Sequence, residues 1–155
     1  MATRVGVISD THGLLRPEAV AALRGSHYIV HAGDIGDENI LRTLEAIAPV
    51  TVVRGNTDYE PWARHIPPTA VLDVEGVRIY VVHDIAQLDI DPGAADVDVV
   101  VFGHSHRPGI ETRGDVLYLN PGSAGPRRFD LPISVAHLTI EGGAARAEIV
   151  KLTVS

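Results

Sequence analysis

Aspartate, asparagine and histidine side chains follow several short apolar segments of the sequence, each just where the segment ends. Two pairs are spaced i and i+2, Asp10 with His12 and His104 with His106. In extended chain such neighbours point the same way, so each pair can reach one cation together. Three further positions of this kind offer an oxygen or an imidazole: Asp34, Asn56 and His83. The pattern predicts a metal site.

The ligand types indicate which metals and which reaction to expect. A mixed set of nitrogen and oxygen donors suits Mn, Fe, Zn or Ni better than Ca. The candidates outnumber the ligands of one ion, and the two carboxylate oxygens of Asp34 can bridge two ions. Two divalent ions, two aspartates and a bridging hydroxide leave a net positive centre that attracts an anion. Ions ~3.5–4 Å apart can activate a shared water for in-line attack on phosphorus, so the predicted reaction is phosphoester hydrolysis.

Composition sets the limits within which that site must be built. The chain has 155 residues, 45% of them apolar and 21% charged, which predicts one globular domain over residues 1–155. The absence of cysteine excludes disulfides and thiolate chemistry and accords with a cytoplasmic protein. A net charge of −7 without a basic run argues against a long nucleic acid as partner. No apolar run approaches ~18 residues, so no membrane partner is expected. Asp10 also comes too early for the apolar core of a signal peptide.

The elements that must position these residues alternate at first between strand and helix. Helices are predicted from Pro17 to about Gly25 and after the capping residue Asp37. Strands are predicted at 4–9, 28–30, 50–53, 70–74, 77–82, 97–102 and 116–119. Glu75 and Gly76 are expected to form a two-residue hairpin turn, and a final hairpin within 133–154 is expected to turn at Gly142 and Gly143. This order indicates an α/β domain whose later part is antiparallel. Ligands bind beyond the carboxyl ends of strands in open α/β sheets, so the polar residues should converge on one site.

The motifs in chain order are Asp-x-His, Gly-Asp, Gly-Asn, His and Gly-His-x-His, followed by Asn-Pro-Gly-Ser at 120–123. In this order they resemble the calcineurin-like metallophosphoesterase superfamily, in particular its small single-domain phosphodiesterase branch in bacteria and archaea. The resemblance covers residues 10–123. It implies a two-sheet α/β sandwich with flanking helices and a dinuclear site at its edge.

The resemblance also implies a division of the ligands between two divalent ions. One ion would be held by Asp10, His12, Asp34 and His106, and the other by Asp34, Asn56, His83 and His104. Mn is the first expectation, with Fe, Zn or Ni as alternatives. A small phosphoester would lie across both ions, with Asp34 bridging them and Asn56 orienting the phosphate. Arg107, Arg127 and Arg128 are further candidates for phosphate contacts, because guanidinium matches phosphate geometry.

Two departures from the family pattern concern the proton that the leaving group needs. Many members have histidine after Gly-Asn, where it protonates the leaving oxygen, and here the residue is Thr57. Close relatives also carry a second histidine two residues after the ligand at position 83, which is missing here. The donor is therefore sought among Asp58, Asp84, His31 and metal-bound water. We predict faster hydrolysis of esters with acidic leaving groups, such as aryl phosphodiesters.

Three other functions compete with this hypothesis. The small fold also resembles the retromer subunit of eukaryotic endosomal sorting, which acts as a scaffold, so a non-catalytic metal-binding or partner-binding module is the main alternative. Residues 121–125 nearly spell the Gly-x-Ser-x-Gly elbow of serine hydrolases, but the first glycine is Pro121. A two-metal hydrolase of amides is the third. The sequence predicts no oligomeric state.

Overall fold

Two five-stranded sheets and two short helices form the fold in the computed structural model, which describes residues 2–154. The first sheet contains β1 (Thr3–Ile8), β2 (Tyr28–His31), β3 (Val50–Val52), β9 (Ser134–Glu141) and β10 (Ala144–Lys151). The second contains β4 (Thr69–Val74), β5 (Val77–Val82), β6 (Val99–Val101), β7 (Gly109–Arg113) and β8 (Val116–Asn120). The helices are α1 (Pro17–Leu23) and α2 (Glu38–Glu45). Within the described range, no helix has the length and apolar character needed to cross a membrane.

The first sheet is parallel from β1 to its edge strand β3 and antiparallel on the side of β9 and β10, whereas the second sheet has a parallel centre between two antiparallel edges. The strand order is β10-β9-β1-β2-β3 in the first sheet, where β1, β2 and β3 are parallel. It is β4-β5-β6-β8-β7 in the second, where β5, β6 and β8 are parallel. The expected α/β sandwich is confirmed, but the later part of the chain is mixed and not simply antiparallel. Strand β7, which lies at an exposed edge and lacks apolar alternation, was not predicted.

Alternating side chains place apolar residues on both faces of each sheet. Val99 and Val101 face the interior between the sheets, whereas Val100 packs in a separate cluster on the outer face of its sheet. Such a strand must be apolar throughout, as its sequence is. On the outside of the first sheet, α2 buries Ile40 and Leu44, and Asp37 caps this helix by accepting the N–H of Asn39. The two sheets are therefore held face to face by a valine-rich core. The two α-helices cover the outer face of the first sheet, whereas a short 3-10 helix, Ile85–Gln87, packs Ile85 on the outer face of the second.

Three hairpins in the described residues have two-residue turns, and two of them were correctly predicted; the third, between β7 and β8, was not. Glu75 and Gly76 join β4 to β5, and Gly142 and Gly143 join β9 to β10, all with positive φ. A two-residue turn with positive φ at both positions matches the twist of the paired strands. The parallel strands of both sheets then end at the same edge of the sandwich, which is where the candidate ligands lie.

Candidate metal centre

Loops from both sheets supply the candidate ligands. In the first sheet they follow β1 (Asp10 and His12), β2 (Asp34) and β3 (Asn56), and in the second they follow β5 (His83) and β6 (His104 and His106). Each ligand position thus comes directly after a parallel strand. The site forms only where the carboxyl ends of the two sheets meet.

One group of ligand atoms gathers around Asp10. Its Oδ1 lies 3.6 Å from His12 Nε2 and 3.4 Å from His106 Nε2, and the two imidazole nitrogens are 3.3 Å apart. The other oxygen of Asp10 accepts hydrogen bonds from the Ser9 hydroxyl at 2.7 Å and the His104 N–H at 3.1 Å. Asp10 is completely buried. Its carboxylate is held by one oxygen so that the other faces the imidazoles.

A second group shares Asp10 and adds Asp34 and His83. His83 Nε2 is 3.2 Å from Asp34 Oδ2 and 3.9 Å from Asp10 Oδ1. Asp34 Oδ2 also lies 3.6 Å from His12 Nε2, so this carboxylate faces both groups. The N–H of Thr57 donates to its other oxygen at 2.9 Å. The geometry thus places two carboxylates, not one, between the groups.

The remaining two ligand candidates lie at the solvent-exposed rim. The Oδ1 of Asn56 is 3.1 Å from His104 Nδ1, and His104 Nε2 is 3.9 Å from Asp84 Oδ2. The side chain of His104 is 47% exposed. The structure therefore brings five of the predicted ligands into close groups and sets Asn56 and His104 beside them as a pair.

Charges in the site shift the proton equilibria of its residues. Burial by itself would raise the pKa of Asp10, but His106, His12 and His83 outweigh it and hold that pKa well below its usual range. Burial also opposes ionisation of Asp34, whose pKa is nevertheless lowered by His83 and the Thr57 N–H. The pKa of His83 is lowered by burial but raised on balance by Asp34 and Asp10. Both carboxylates are thus anionic at neutral pH, as metal ligands must be.

Unpaired buried atoms test whether a cation fits here. Asp10 Oδ1 and His83 Nε2 are buried and make no hydrogen bond with described residues. Leaving a buried carboxylate oxygen without a partner is energetically unfavourable, and a bound cation would satisfy both atoms. Both atoms point into the same group of imidazoles and carboxylates. The residues therefore fit a divalent cation of the Mn, Fe, Zn or Ni type.

Left-handed backbone is concentrated at the ligand positions. Eight non-glycine residues in the described range have positive φ, and five of them are candidate ligands: Asp10, His12, Asp34, His104 and His106. Aspartate and histidine are among the side chains that tolerate this region best. Unusual backbone of this kind concentrates at functional sites, where surrounding contacts hold it.

Asp58, a predicted proton donor, is a buried acceptor. Its two oxygens accept the N–H groups of Asp34 at 2.9 Å, Ile35 at 3.0 Å, Gly36 at 3.3 Å and Gly55 at 2.9 Å. Asp58 is 3% exposed. These contacts tie the loop after β3 to the loop after β2, and a catalytic role for Asp58 stays a prediction.

His31 is unsuited to protonate a leaving group. It is completely buried, and burial lowers its pKa to about 4. Its ring contacts Thr11 and Gly33 and none of the ligand atoms. Asp84, half-buried at the rim, is the one side-chain donor candidate that faces the site, through His104.

Several supporting residues were not found from the sequence. The Ser9 hydroxyl orients Asp10, and Arg16 binds the carbonyl of Gly125 at 3.3 Å. Ser123, the would-be serine nucleophile, is buried and donates to the carbonyl of Asp10 at 3.0 Å, so its role is to fix a ligand loop. Arg107, Arg127 and Arg128 are all exposed. A serine or an arginine in the sequence does not by itself reveal such contacts, because they form only when the chain is folded.

Comparison with known proteins agrees with this geometry. The calcineurin-like phosphoesterase superfamily domain matches residues 3–143. The chain belongs to this superfamily. It is 37% identical to a probable metallophosphoesterase of Methanothermobacter thermautotrophicus over 95% of this chain and 91% of that protein. It is 31% identical to the phosphodiesterase YfcE of Escherichia coli K12 over 84% of each chain.

Structural similarity extends to a eukaryotic protein, Vps29. The crystal structure of Vps29 from Chaetomium thermophilum superposes with a TM-score of 0.78 and 22% identity, covering 96% of each chain. At that identity the likeness shows the calcineurin-like phosphoesterase fold alone. The metallophosphoesterase and phosphodiesterase relatives accord with a hydrolase of phosphoesters.

Proposed function

We propose that the chain is a phosphodiesterase that depends on two divalent metal ions, with Mn as the expected metal and Fe, Zn or Ni as alternatives. The observation that carries this proposal is the meeting of imidazoles and carboxylates around the unpaired atoms Asp10 Oδ1 and His83 Nε2. Two ions bound there would lower the pKa of a shared water for attack on phosphorus and neutralise charge on the phosphoryl oxygens.

The protein's own residues divide into two ligand sets. We assign Asp10, His12, Asp34 and His106 to one ion, and Asp34, Asn56, His83 and His104 to the other. The contacts of Asp34 Oδ2 with both His12 and His83 support its place between the ions. The exposed amide of Asn56 and the exposed ring of His104 lie together at the open side, where a phosphate can approach. Asn56 can therefore orient the substrate as well as bind metal.

A small phosphoester is the substrate that the charge distribution supports. With a net charge of −7 and no basic run longer than the pair Arg127 and Arg128, the protein lacks the extended basic surface that holds a long nucleic acid. A metal centre of net positive charge would supply the local attraction for one phosphate group. The physiological ester must therefore be recognised mainly at its reacting phosphate and at groups along the rim.

The scaffold hypothesis is less well supported than catalysis. A scaffold needs an exposed apolar surface but no complete ligand set, and here every ligand position of the family is filled. The exposed large apolar side chains lie on separate elements and loops of the chain: Leu14, Tyr59, Val71, Ile110 and Phe129. The complete ligand set thus favours an enzyme.

Hydrolysis of bis(p-nitrophenyl) phosphate tests the proposal directly. Metal-stripped protein should be inactive, and added Mn²⁺ should restore turnover. His104→Ala should lower Mn-dependent turnover by at least about 10–100-fold, because even the loss of a residue that only orients a metal ligand has an effect of that size. His65→Ala is the matched control, because His65 is an exposed histidine that is not among the candidate ligands.

Two results would contradict parts of this proposal. If Mn²⁺ binds but neither this ester nor a dialkyl ester is hydrolysed, the scaffold hypothesis is favoured over a phosphodiesterase. If His104→Ala and His65→Ala have equal activity, the assignment of the second ion is wrong.

A further inference from the structure

We propose that Thr11 and His31 form a positioning pair that fixes the distance between the ligand loop after β1 and the ligand loop after β2. This inference rests on the proposed function, because positioning matters only if these loops bind metal. Both side chains are completely buried, and neither offers an atom to the candidate ligand groups. Their contacts instead run from one loop to the other.

The directions of the hydrogen bonds define the tautomer of His31. The Gly33 N–H donates to Nδ1 at 3.1 Å, so Nδ1 carries no proton. The Thr11 hydroxyl donates its single proton to the carbonyl of Ile35 at 2.8 Å, because a carbonyl can only accept. Nε2 of His31 lies 3.0 Å from the same hydroxyl oxygen and must therefore be the donor there. A neutral His31 ring with its proton on Nε2 thus gives every donor and acceptor in this series of hydrogen bonds a partner.

This series of hydrogen bonds connects the two loops through residues that are next to the candidate ligands in the sequence. Thr11 lies between the ligands Asp10 and His12, whereas Gly33 and Ile35 flank the ligand Asp34. Main-chain hydrogen bonds run beside it, from Asp10 N–H to the Gly33 carbonyl at 3.0 Å and from His12 N–H to the Asp34 carbonyl at 2.9 Å. The side-chain pair thus adds a completely buried cross-connection between the two ligand loops.

Replacing Thr11 with valine removes the hydroxyl and should displace the candidate ligands, although the volume of the buried side chain stays nearly the same. Valine has nearly the shape of threonine, but it would leave the His31 Nε2–H buried without an acceptor. Buried donors that lose their partner are unfavourable, so the ring or the loops must shift. A shift at this place changes the spacing of Asp10 and His12 relative to Asp34. Residues that orient metal ligands from behind commonly change metal affinity about 10–100-fold.

The test measures Mn²⁺ binding by electron paramagnetic resonance in the absence of substrate. Thr11→Val should weaken binding about 10-fold or more, and the conservative Thr11→Ser, which keeps the hydroxyl, should restore it. Thr3→Val is the matched control, since Thr3 is also buried and its hydroxyl donates to Glu75 at 2.7 Å at the other end of β1. This control should bind Mn²⁺ as the unaltered protein does.

Equal Mn²⁺ affinity of Thr11→Val and the unaltered protein would overturn the inference, even if the variant melts at a lower temperature. Nitrogen NMR of the unaltered protein gives an independent test should the variant not fold. It should show His31 protonated at Nε2 and not at Nδ1, and the opposite tautomer would overturn the inference. Because binding is measured without substrate, an absence of phosphodiester turnover would refute the proposed function and leave the positioning pair standing.

Discussion

Thr57 lies beside the candidate ligand Asn56, where many members of the superfamily carry histidine. Its side chain is exposed and its N–H is bound to Asp34, so it supplies no acid to the leaving oxygen. Phenolates with nitro groups leave without a proton, whereas alkoxides need one. Hydrolysis of bis(p-nitrophenyl) phosphate should therefore be much faster than hydrolysis of diethyl phosphate, as followed by phosphorus NMR.

Thr57→His should reduce the difference in rate between the aryl and the dialkyl ester, because it adds a proton donor for the leaving group. A positioned acid commonly contributes about 10²–10⁴-fold, so the rate on diethyl phosphate should rise at least about 10-fold. The rate on the aryl ester should stay nearly constant. Equal rates of the unaltered protein on the two esters would show that a donor is already present.

Asp58 offers a second test of a single residue. Asp58→Asn should lower the free energy of unfolding by about 2–4 kcal/mol, because an amide nitrogen cannot accept the N–H groups that now bind the carboxylate. Urea unfolding of the metal-free protein measures the change, with the exposed Asp115→Asn as control. Unchanged stability together with a selective loss of dialkyl ester hydrolysis would support Asp58 as the proton donor.

At the scale of the elements, glycines let the ligand loops pack backbone against backbone. A Cβ on Gly125 would overlap the Thr11 carbonyl, and a Cβ on Gly36 would overlap the Gly13 N–H. At Gly103 it would overlap the Ser9 hydroxyl and lie 2.6 Å from Asp10 Oδ2. Such contacts leave the loops no room to accept a side chain.

Gly125→Ala should therefore weaken Mn²⁺ binding and lower stability by about 1–3 kcal/mol, as overpacking does. Gly109→Ala is the control, because nothing lies within 4 Å of its Cβ position and its φ is not positive. Calorimetric titration with Mn²⁺ and urea unfolding measure the two effects. If both variants behave alike, the close approach of residue 125 to Thr11 is not a constraint.

The sequence predicts elements well where periodicity and turn residues agree. Helix α2 was found from its apolar spacing and Asp37, and two of the three hairpins from their turn residues. Strand β7 was missed because all of its side chains are exposed, so nothing in its pattern distinguishes it from a loop. The parallel arrangement of β6 and β8 depends on crossovers that no local pattern encodes.

The candidate ligands could be proposed from the sequence, whereas their supports could not. Asp-x-His and His-x-His carry their chemistry in the residue types. By contrast, the acceptor role of Asp58 and the contact of Ser123 with Asp10 depend on loops that meet only in the folded chain. A side chain that forms hydrogen bonds with the main chain of another loop cannot be recognised in a single sequence, except that it is polar.

At the scale of the whole molecule, the buried His31 links stability to pH. Its pKa falls from 6.5 in the free side chain to about 4 in the fold, so between these values the unfolded chain binds more protons. Stability of the metal-free protein should therefore fall as the pH is lowered through this range, by about 2 kcal/mol between pH 6.5 and 5. Urea unfolding in the presence of a chelator measures it.

The other shifted groups should contribute little in that window. The raised pKa of His83 gives stability that is already complete below pH 6.5 and is lost only as the pH rises. The lowered pKa values of Asp10 and Asp34 matter mainly below pH 5, where the unfolded carboxylates begin to protonate. In His31→Gln the free energy of unfolding should therefore change much less between pH 6.5 and 5. If it changes as much as in the unaltered protein, the pH dependence arises from other groups.

The left-handed backbone at five ligand positions has a consequence for evolutionary descent. Loops that hold such conformations select aspartate, asparagine, histidine or glycine whether or not a metal is bound. A lineage that abandoned hydrolysis would still be confined to these residues at Asp10, Asp34 and His106 for as long as it kept the loops. These residues would then persist after the reaction had been lost, whereas Asn56 and His83, whose φ is not positive, would be free to change, so these two positions report best whether a relative is still an enzyme.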